Sequence, residues 1–417
     1  MTSDALSGRH GCSDAMEMSE TAFNFGTMYG LNSSQFAAMA FLWPALVAES
    51  ASELASATAR GFADLAIGPQ PPTREPQWTT PNRVALELPS VRLRDFSTSA
   101  DGSPTLLCAP FALHQATITD FAPDHSLVAA LRTAGIERIF VTDWRSASPD
   151  MRFLAIDNYL ADLNVLVDEL GGYADLIGLC QGGWLALTYA ARFPLKVRKL
   201  VLAGAPIDVA AGTSRLSRLA HDTPLAIFHE LANLGGGRIL GRHALRFWAP
   251  DPPNRETIHA LLQSSRKPSS PAFRRLEARF RDWYGCTVDL PGTYYLQVVE
   301  QFFRENRLAT GRFVALGRPV ELSGLRIPLF LLAARDDDVV AGEQMFAIRK
   351  LVDRRRCAID KAIAPCGHLG LFMGEKTLTD MWRKVADWLR SEERFRSPGQ
   401  SPPSAAAQPS GQPDEPL

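Results

Sequence analysis

The 417-residue sequence contains six cysteines, Cys12, Cys108, Cys180, Cys286, Cys357 and Cys366, and none is spaced as a metal ligand or as part of a disulfide framework. Reduced thiols are therefore expected. Net charge is nearly absent: 44 basic residues stand against 45 acidic ones, which leaves no electrostatic case for nucleic acid as a partner. The basic runs, from Arg274 to Arg281 and at Arg354 to Arg356, read as solvated helix faces. No apolar stretch is long enough for a membrane span, because the run Ala37 to Ala48 is interrupted at Pro44 and ended by Glu49. The start lacks a basic stretch followed by an apolar core and a cleavage site, so no leader peptide and a cytoplasmic location are expected. There is no internal repeat. Gly235-Gly236-Gly237 with Gly241 lacks the preceding strand that a phosphate loop needs and reads as a turn. His114, Asp120, Asp124 and His125 follow no known ligand spacing, so neither a metal nor a cofactor is expected.

What the sequence does contain is organised around Asp175-Leu176-Ile177-Gly178-Leu179-Cys180-Gln181-Gly182-Gly183-Trp184. An apolar run leads into Gly178-x-Cys180-x-Gly182, and a helical pattern follows directly. This is the layout of a nucleophile elbow, G-x-S-x-G, with cysteine in the serine position. The turn from strand to helix is sharp, so side chains two residues before and after the nucleophile would collide across it. The nucleophile itself stands at a helix N-terminus, where the dipole favours thiolate. Cys180 is thus the candidate nucleophile of an acyl-transfer enzyme.

From about Arg83 the chain alternates short apolar runs with helical patterns, the signature of an α/β sheet. Val84 to Phe96 reads as one or two strands, followed by strands at 105–109, 138–142, the run into Cys180, and 197–202. Helices are expected at 126–134, 153–170 and after Cys180. The rhythm stops at about residue 208. More than a hundred residues of helical, aromatic-rich sequence follow, which reads as an inserted cap. Strands then return at 328–333 and 358–362, with helices at 342–352 and 377–390. The expected organisation is an N-terminal segment (1–75), an α/β core (76–207), a helical cap (208–320), a second part of the core (321–391) and a disordered tail (392–417). Within the first segment, residues 1–30 read as loosely ordered, about 35–65 as a helix, and 68–72 as a Pro-rich linker. That helix either docks on the core or lies on a lipid or polyester surface.

A nucleophilic thiol needs a base, and the base needs an orienting group. In the elbow fold these follow in the order nucleophile, acid, histidine, each after a C-terminal strand. Strand 328–333 ends at Arg335-Asp336-Asp337-Asp338, and the next ends at Pro365-Cys366-Gly367-His368. His368 is the candidate base. Among the aspartates, Asp337 is preferred to Asp338 as its partner. The backbone N–H of Gln181 and that of Phe111, after the strand ending at Ala109, are the candidate oxyanion donors. Cys366, two residues before His368, either packs or has a redox role.

Several segments together resemble the poly(3-hydroxyalkanoate) synthases and the intracellular poly(3-hydroxybutyrate) depolymerases. They are the cysteine elbow, Val141-Thr142-Asp143-Trp144-Arg145, Asp289-Leu290-Pro291-Gly292-Thr293-Tyr294, Glu305-Asn306-Arg307-Leu308 and Val320-Glu321-Leu322. The resemblance covers roughly residues 80–390. It implies an α/β-hydrolase fold with Cys180 as the acyl acceptor, His368 as the base and Asp337 as the acid. It also implies a hydroxyalkanoate ester, a polyester or a CoA thioester as substrate, and association with polyester granules. Gly182-Gly183 is similar to the synthases. Cys108-Ala109-Pro110, His114 to Thr117, and Asp337-Asp338 with Gly342 and Gln344 are similar to the depolymerases. On balance the sequence leans to hydrolysis, with polyester synthesis as the alternative and a silent granule-binding relative as a third reading.

Overall fold

Runs such as Ala174 to Leu179 and Leu329 to Ala334 are buried at every position, as expected for parallel strands covered on both faces. In the computed structural model, which describes residues 75–249 and 251–391, they are interior strands of an eight-stranded sheet. Its strands are β1 (Arg83–Glu87), β2 (Val91–Asp95), β3 (Thr105–Cys108), β4 (Ile139–Trp144), β5 (Ala174–Leu179), β6 (Val197–Ala203), β7 (Leu329–Ala334) and β8 (Ile359–Ala364). The spatial order is β1-β2-β4-β3-β5-β6-β7-β8. The β1–β2 and β2–β4 pairs are antiparallel; every pair from β4 onward is parallel. A mostly parallel sheet in this order, with a nucleophile turn after β5, is the α/β-hydrolase architecture. The expected N-terminal helix, its linker and the C-terminal tail lie outside the described residues.

The boundaries shift where tertiary contacts outweigh local pattern. β4 continues through Asp143 and Trp144 because both pair with β2, and Asp143 also binds Arg94 at 2.8 Å. Ser126 is the cap of the next helix, α1 (Leu127–Thr133), rather than its first residue, and accepts the Ala129 N–H at 2.9 Å. The long helix α2 (Ile156–Glu169) starts later than the pattern suggests, behind a 3-10 turn over Pro149–Phe153. Helix α3 (Gln181–Arg192) follows the elbow.

Between β6 and β7 the chain forms α4 (Arg215–Asp222), α5 (Leu225–Leu234), α6 (Gly241–Trp248), α7 (Arg255–Leu262), α8 (Pro271–Gly285) and α9 (Gly292–Gln297). The last of these widens into a π-helix over Val298–Arg304. This insertion rests on loops at the C-terminal edge of the sheet: Val288 N–H donates to Leu113 O, and Ala147 N–H donates to Asp289 O, both at 2.9 Å. The single helix expected over 342–352 is two pieces, α10 (Gly342–Phe346) and α11 (Ile348–Leu351), joined at Ala347. A short α12 (Gly370–Met373) precedes the closing α13 (Glu375–Arg390), which buries Trp382, Val385, Ala386 and Leu389. No helix among the described residues is long and apolar enough to cross a membrane.

Candidate active site

Cys108, Gly178, Leu202 and Leu331 stand abreast across β3, β5, β6 and β7. Cys180 therefore projects two residues beyond this row, past the C-terminal edge of the sheet. Its backbone sits at φ 49° and ψ −119°, a conformation that costs on the order of 1–3 kcal/mol in a residue with a side chain. The surroundings hold it there: Cys180 N–H donates to Ala203 O at 2.8 Å, and Gly183 N–H donates to Cys180 O at 2.9 Å. A Cβ on Gly178 would lie 2.4 Å from Gly183 Cα. One on Gly182 would lie 2.1 Å from Cys108 O. The G-x-C-x-G spacing thus reflects backbone contacts across the turn and against the end of β3.

Cys180 differs from the buried thiols, and from Cys286, which is also partly exposed but whose thiol is raised by burial. Cys180 is partly exposed and stands at the N-terminus of α3, whereas Cys108 and Cys357 are buried and burial pushes their thiols up to about 12. Cys366 is buried as well, and burial raises its thiol; it packs beneath Gly370.

The acid and base loops leave the sheet side by side. Arg335 N–H donates to Ala364 O at 2.8 Å and Asp336 N–H to Cys366 O at 3.0 Å, which extends the β7–β8 ladder beyond both strands. One turn later, His368 Nδ1 and Asp337 Oδ2 are 2.8 Å apart. The other carboxylate oxygen of Asp337 accepts the N–H groups of Val339 (3.0 Å) and Val340 (2.8 Å), so the side chain is fixed at both ends. Asp338 is exposed and offers only its backbone carbonyl, to Arg215 N–H at 3.0 Å. Cys180 is the other group that acts on the charge state of His368. Burial opposes protonation of His368, yet the charges of Asp337 and Cys180 and the hydrogen bond to Asp337 hold it well above the usual histidine range. The structure therefore brings Cys180, His368 and Asp337 into one chain of contacts.

The candidate oxyanion donors come from two directions. Gln181 is the first residue of α3, where N–H groups have no intrahelical acceptor. Phe111 is buried in the loop after β3. That loop is pinned from β4: Ala109 N–H donates to Thr142 Oγ1 at 3.0 Å, and Trp144 Nε1 donates to Ala109 O at 2.9 Å. Close packing of Gly182 on Cys108 O and Ala109 O sets the pinned loop against the elbow.

The remaining family-like segments prove to be struts around this centre. Asn306, at φ 49°, donates from its amide nitrogen to Asp208 Oδ1 at 2.7 Å and accepts Val209 N–H at 3.3 Å, tying the exit of the insertion to its entry. The Gln344 side-chain amide donates to Val209 O (3.0 Å) and Ser217 Oγ (3.2 Å), while its backbone carbonyl accepts Asp208 N–H (3.0 Å). Asp289 accepts Gly241 N–H at 2.9 Å and pairs with Arg238. Sequence reasoning assigned no part to Thr142, Trp144, Asp208 or Tyr159, although Thr142 and Trp144 fall inside a segment that carried the resemblance.

The residues weighed as a metal cluster take separate partners. Asp120 accepts from Thr79 N–H, Thr80 N–H and Oγ1, and Ser126 Oγ at 2.6–2.8 Å. Asp124 pairs with Arg266 (2.7 Å), His125 Nδ1 faces Met373 O (2.8 Å), and His114 lies against Trp283. Gly235 to Gly237 form the turn that ends α5, with Gly237 N–H donating to Ala232 O at 2.9 Å. In the basic run of α8, Arg281 pairs with Glu277, and Arg279 donates to Gln77 O and Thr79 Oγ1. Arg279 and Arg266 line a cleft of about 570 Å³ that contains none of the site residues.

The family model described as PHB de-polymerase C-terminus matches residues 262–393. The chain is 28% identical over 296 residues to the poly(3-hydroxyalkanoate) polymerase subunit PhaC of Synechocystis sp., covering 66% of this chain and 75% of that one. Against the same-named subunit of Haloferax mediterranei it is 25% identical over 326 residues, covering 75% of this chain and 65% of the relative, just under two thirds of its length. For Allochromatium vinosum the identity is 24% over 301 residues, with 69% and 81% covered. Among solved structures, a monoacylglycerol lipase of Paleococcus ferrophilus superposes with a TM-score of 0.46 and 16% identity, covering 72% of this chain and 98% of that one. The chain thus has the α/β-hydrolase fold, aligns with the polymerases over about two thirds of its length and with the depolymerase model over its C-terminal part, and is similar to the poly(3-hydroxyalkanoate) synthases and intracellular poly(3-hydroxybutyrate) depolymerases.

Proposed function

We propose that this protein is a cysteine-dependent acyltransferase that takes (R)-3-hydroxyacyl groups from a CoA thioester and adds them to a growing polyester chain. The observation that carries this reading is the Cys180–His368–Asp337 contact chain at a strained elbow, with His368 2.8 Å from Asp337. His368 takes the Cys180 proton, and the thiolate attacks the thioester carbonyl. The N–H groups of Gln181 and Phe111 hold the tetrahedral oxyanion. As it collapses, the C–S bond to CoA breaks, His368 returns the proton to the departing thiolate, and an acyl-Cys180 thioester remains. A chain-end hydroxyl then gives its proton to His368 and attacks the acyl carbon. The new ester forms and Cys180 is released.

Hydrolysis, in which water replaces the chain-end hydroxyl, is the second reading. It is supported by the depolymerase family model over residues 262–393 and by the residues after β3. The names of the relatives favour polymer synthesis over the hydrolytic lean of the sequence reading. The deciding experiment offers the full chain (R)-3-hydroxybutyryl-CoA and amorphous polyester side by side. CoA release with polymer growth supports the proposal. Release of soluble hydroxy acid from the polyester, without polymer growth, overturns it in favour of hydrolysis.

A further inference from the structure

A few buried polar side chains near the elbow bond to no partner among the described residues, among them Gln181, Trp184 and Tyr159, and Tyr159 is the one packed against Phe111. The residue is 0% exposed, and its buried hydroxyl bonds to no group among the described residues. An unpartnered buried hydroxyl is destabilising and is retained where something else accounts for it. The surroundings suggest what that is. Tyr159 lies in the first turn of α2, at the C-terminal edge of the sheet. Its ring is 4.8 Å from Phe111, 4.7 Å from Tyr294 on α9 and 5.5 Å from Trp144. Three walls of its box therefore belong to the active site: the candidate oxyanion residue, the tryptophan that pins its loop, and the insertion above. Burial, then the proximity of Tyr294 and Asp162, push the Tyr159 phenol up, so it stays a neutral donor. The unpartnered Tyr159 hydroxyl among these aromatic rings suits a mostly apolar chain with a single polar oxygen a few bonds from the reacting carbonyl.

We propose that Tyr159 is a specificity-determining residue whose hydroxyl binds the 3-hydroxyl of the acyl group, favouring hydroxylated over plain acyl chains. The inference rests on the acyl-transfer reading above and deepens it. The test compares the full chain with Tyr159→Phe on the matched CoA thioesters of (R)-3-hydroxybutyrate and butyrate, read as CoA release, alongside a melting curve. The expected result is a tenfold to hundredfold fall in kcat/KM for the hydroxylated thioester. The butyrate thioester should stay within about threefold, with Tm unchanged or raised. An equal fall on both thioesters, no change on either, or a drop in Tm of several degrees overturns the inference. Failure of the underlying reading looks different: Cys180→Ala would remain active, or the wild type would turn over neither thioester.

Discussion

Replacing Asp337 by Asn tests the charge logic of the site with almost no change of shape. The Asp337 side chain is 2% exposed, and one of its oxygens holds Val339 and Val340 N–H. An amide oxygen can accept the same two bonds, so the loop is expected to survive. The amide nitrogen would then face His368 Nδ1 as a donor. His368 would have to carry its proton on Nε2 and point it at Cys180, the wrong tautomer for accepting the thiol proton. A buried triad acid changed in this way costs roughly 10³–10⁴ in turnover, which at about 1.4 kcal/mol per decade is about 4–5.5 kcal/mol of transition-state stabilisation. The assay is kcat/KM on a hydroxyacyl thioester, with circular dichroism and denaturant midpoints to confirm the fold. The pH dependence provides a second readout. Because the folded protein holds His368 above its ordinary value of 6.5, the pair contributes stability that is full below about pH 6.5 and is lost as pH rises through the raised value. That downward slope should flatten in Asp337→Asn. A folded variant within tenfold of wild type, or a His368-linked stability that grows as pH rises through this window, would refute the reasoning.

Three further outcomes follow from the geometry. Gly182→Ala should fold poorly and lose activity, since its Cβ would sit 2.1 Å from Cys108 O and backbone would have to move; urea unfolding should show a loss of about 3 kcal/mol. Trp144→Phe frees the Ala109 carbonyl and loosens the loop that carries Phe111, so kcat should fall about tenfold with a smaller change in KM, and stability by about 1 kcal/mol. Asn306→Ala and Asn306→Gly both lose the bonds to Asp208 and Val209, but at φ 49° only alanine carries a Cβ that is strained. Alanine should therefore be the less stable of the two by about 1 kcal/mol, read from paired denaturant curves.

Different parts of this molecule were legible in the sequence for different physical reasons. The elbow could be read because backbone contacts on both sides of Cys180 exclude side chains, which forces small residues into the sequence itself. The acid could be read because it follows a buried, unbroken apolar strand, β7; the histidine could be read because it follows the next strand in the expected order, although β8 carries Asp360 and Lys361 and is largely exposed. The insertion could be read because no strand pattern interrupts it. What local pattern does not hold is pairing across long separations. The extension of β4 depends on β2, nearly fifty residues away, and Asn306 explains itself only through Asp208 at the other end of the insertion. Asp337 and Asp338 are adjacent and chemically identical, so only the direction of the chain after β7, set by the bonds to Val339 and Val340, separates the buried one from the exposed one. Tyr159 carries no mark in the sequence, because an unpartnered hydroxyl is a property of its surroundings.

The central claim is that Cys180 carries the acyl group. It is tested most directly by mixing the protein with (R)-3-hydroxybutyryl-CoA, quenching in acid within the first turnover, and mapping the adduct by mass spectrometry. The account predicts one 3-hydroxybutyryl mass on the peptide containing Cys180, absent in Cys180→Ala and accumulating less in His368→Ala. An adduct on another residue, or full turnover by Cys180→Ala, would contradict it.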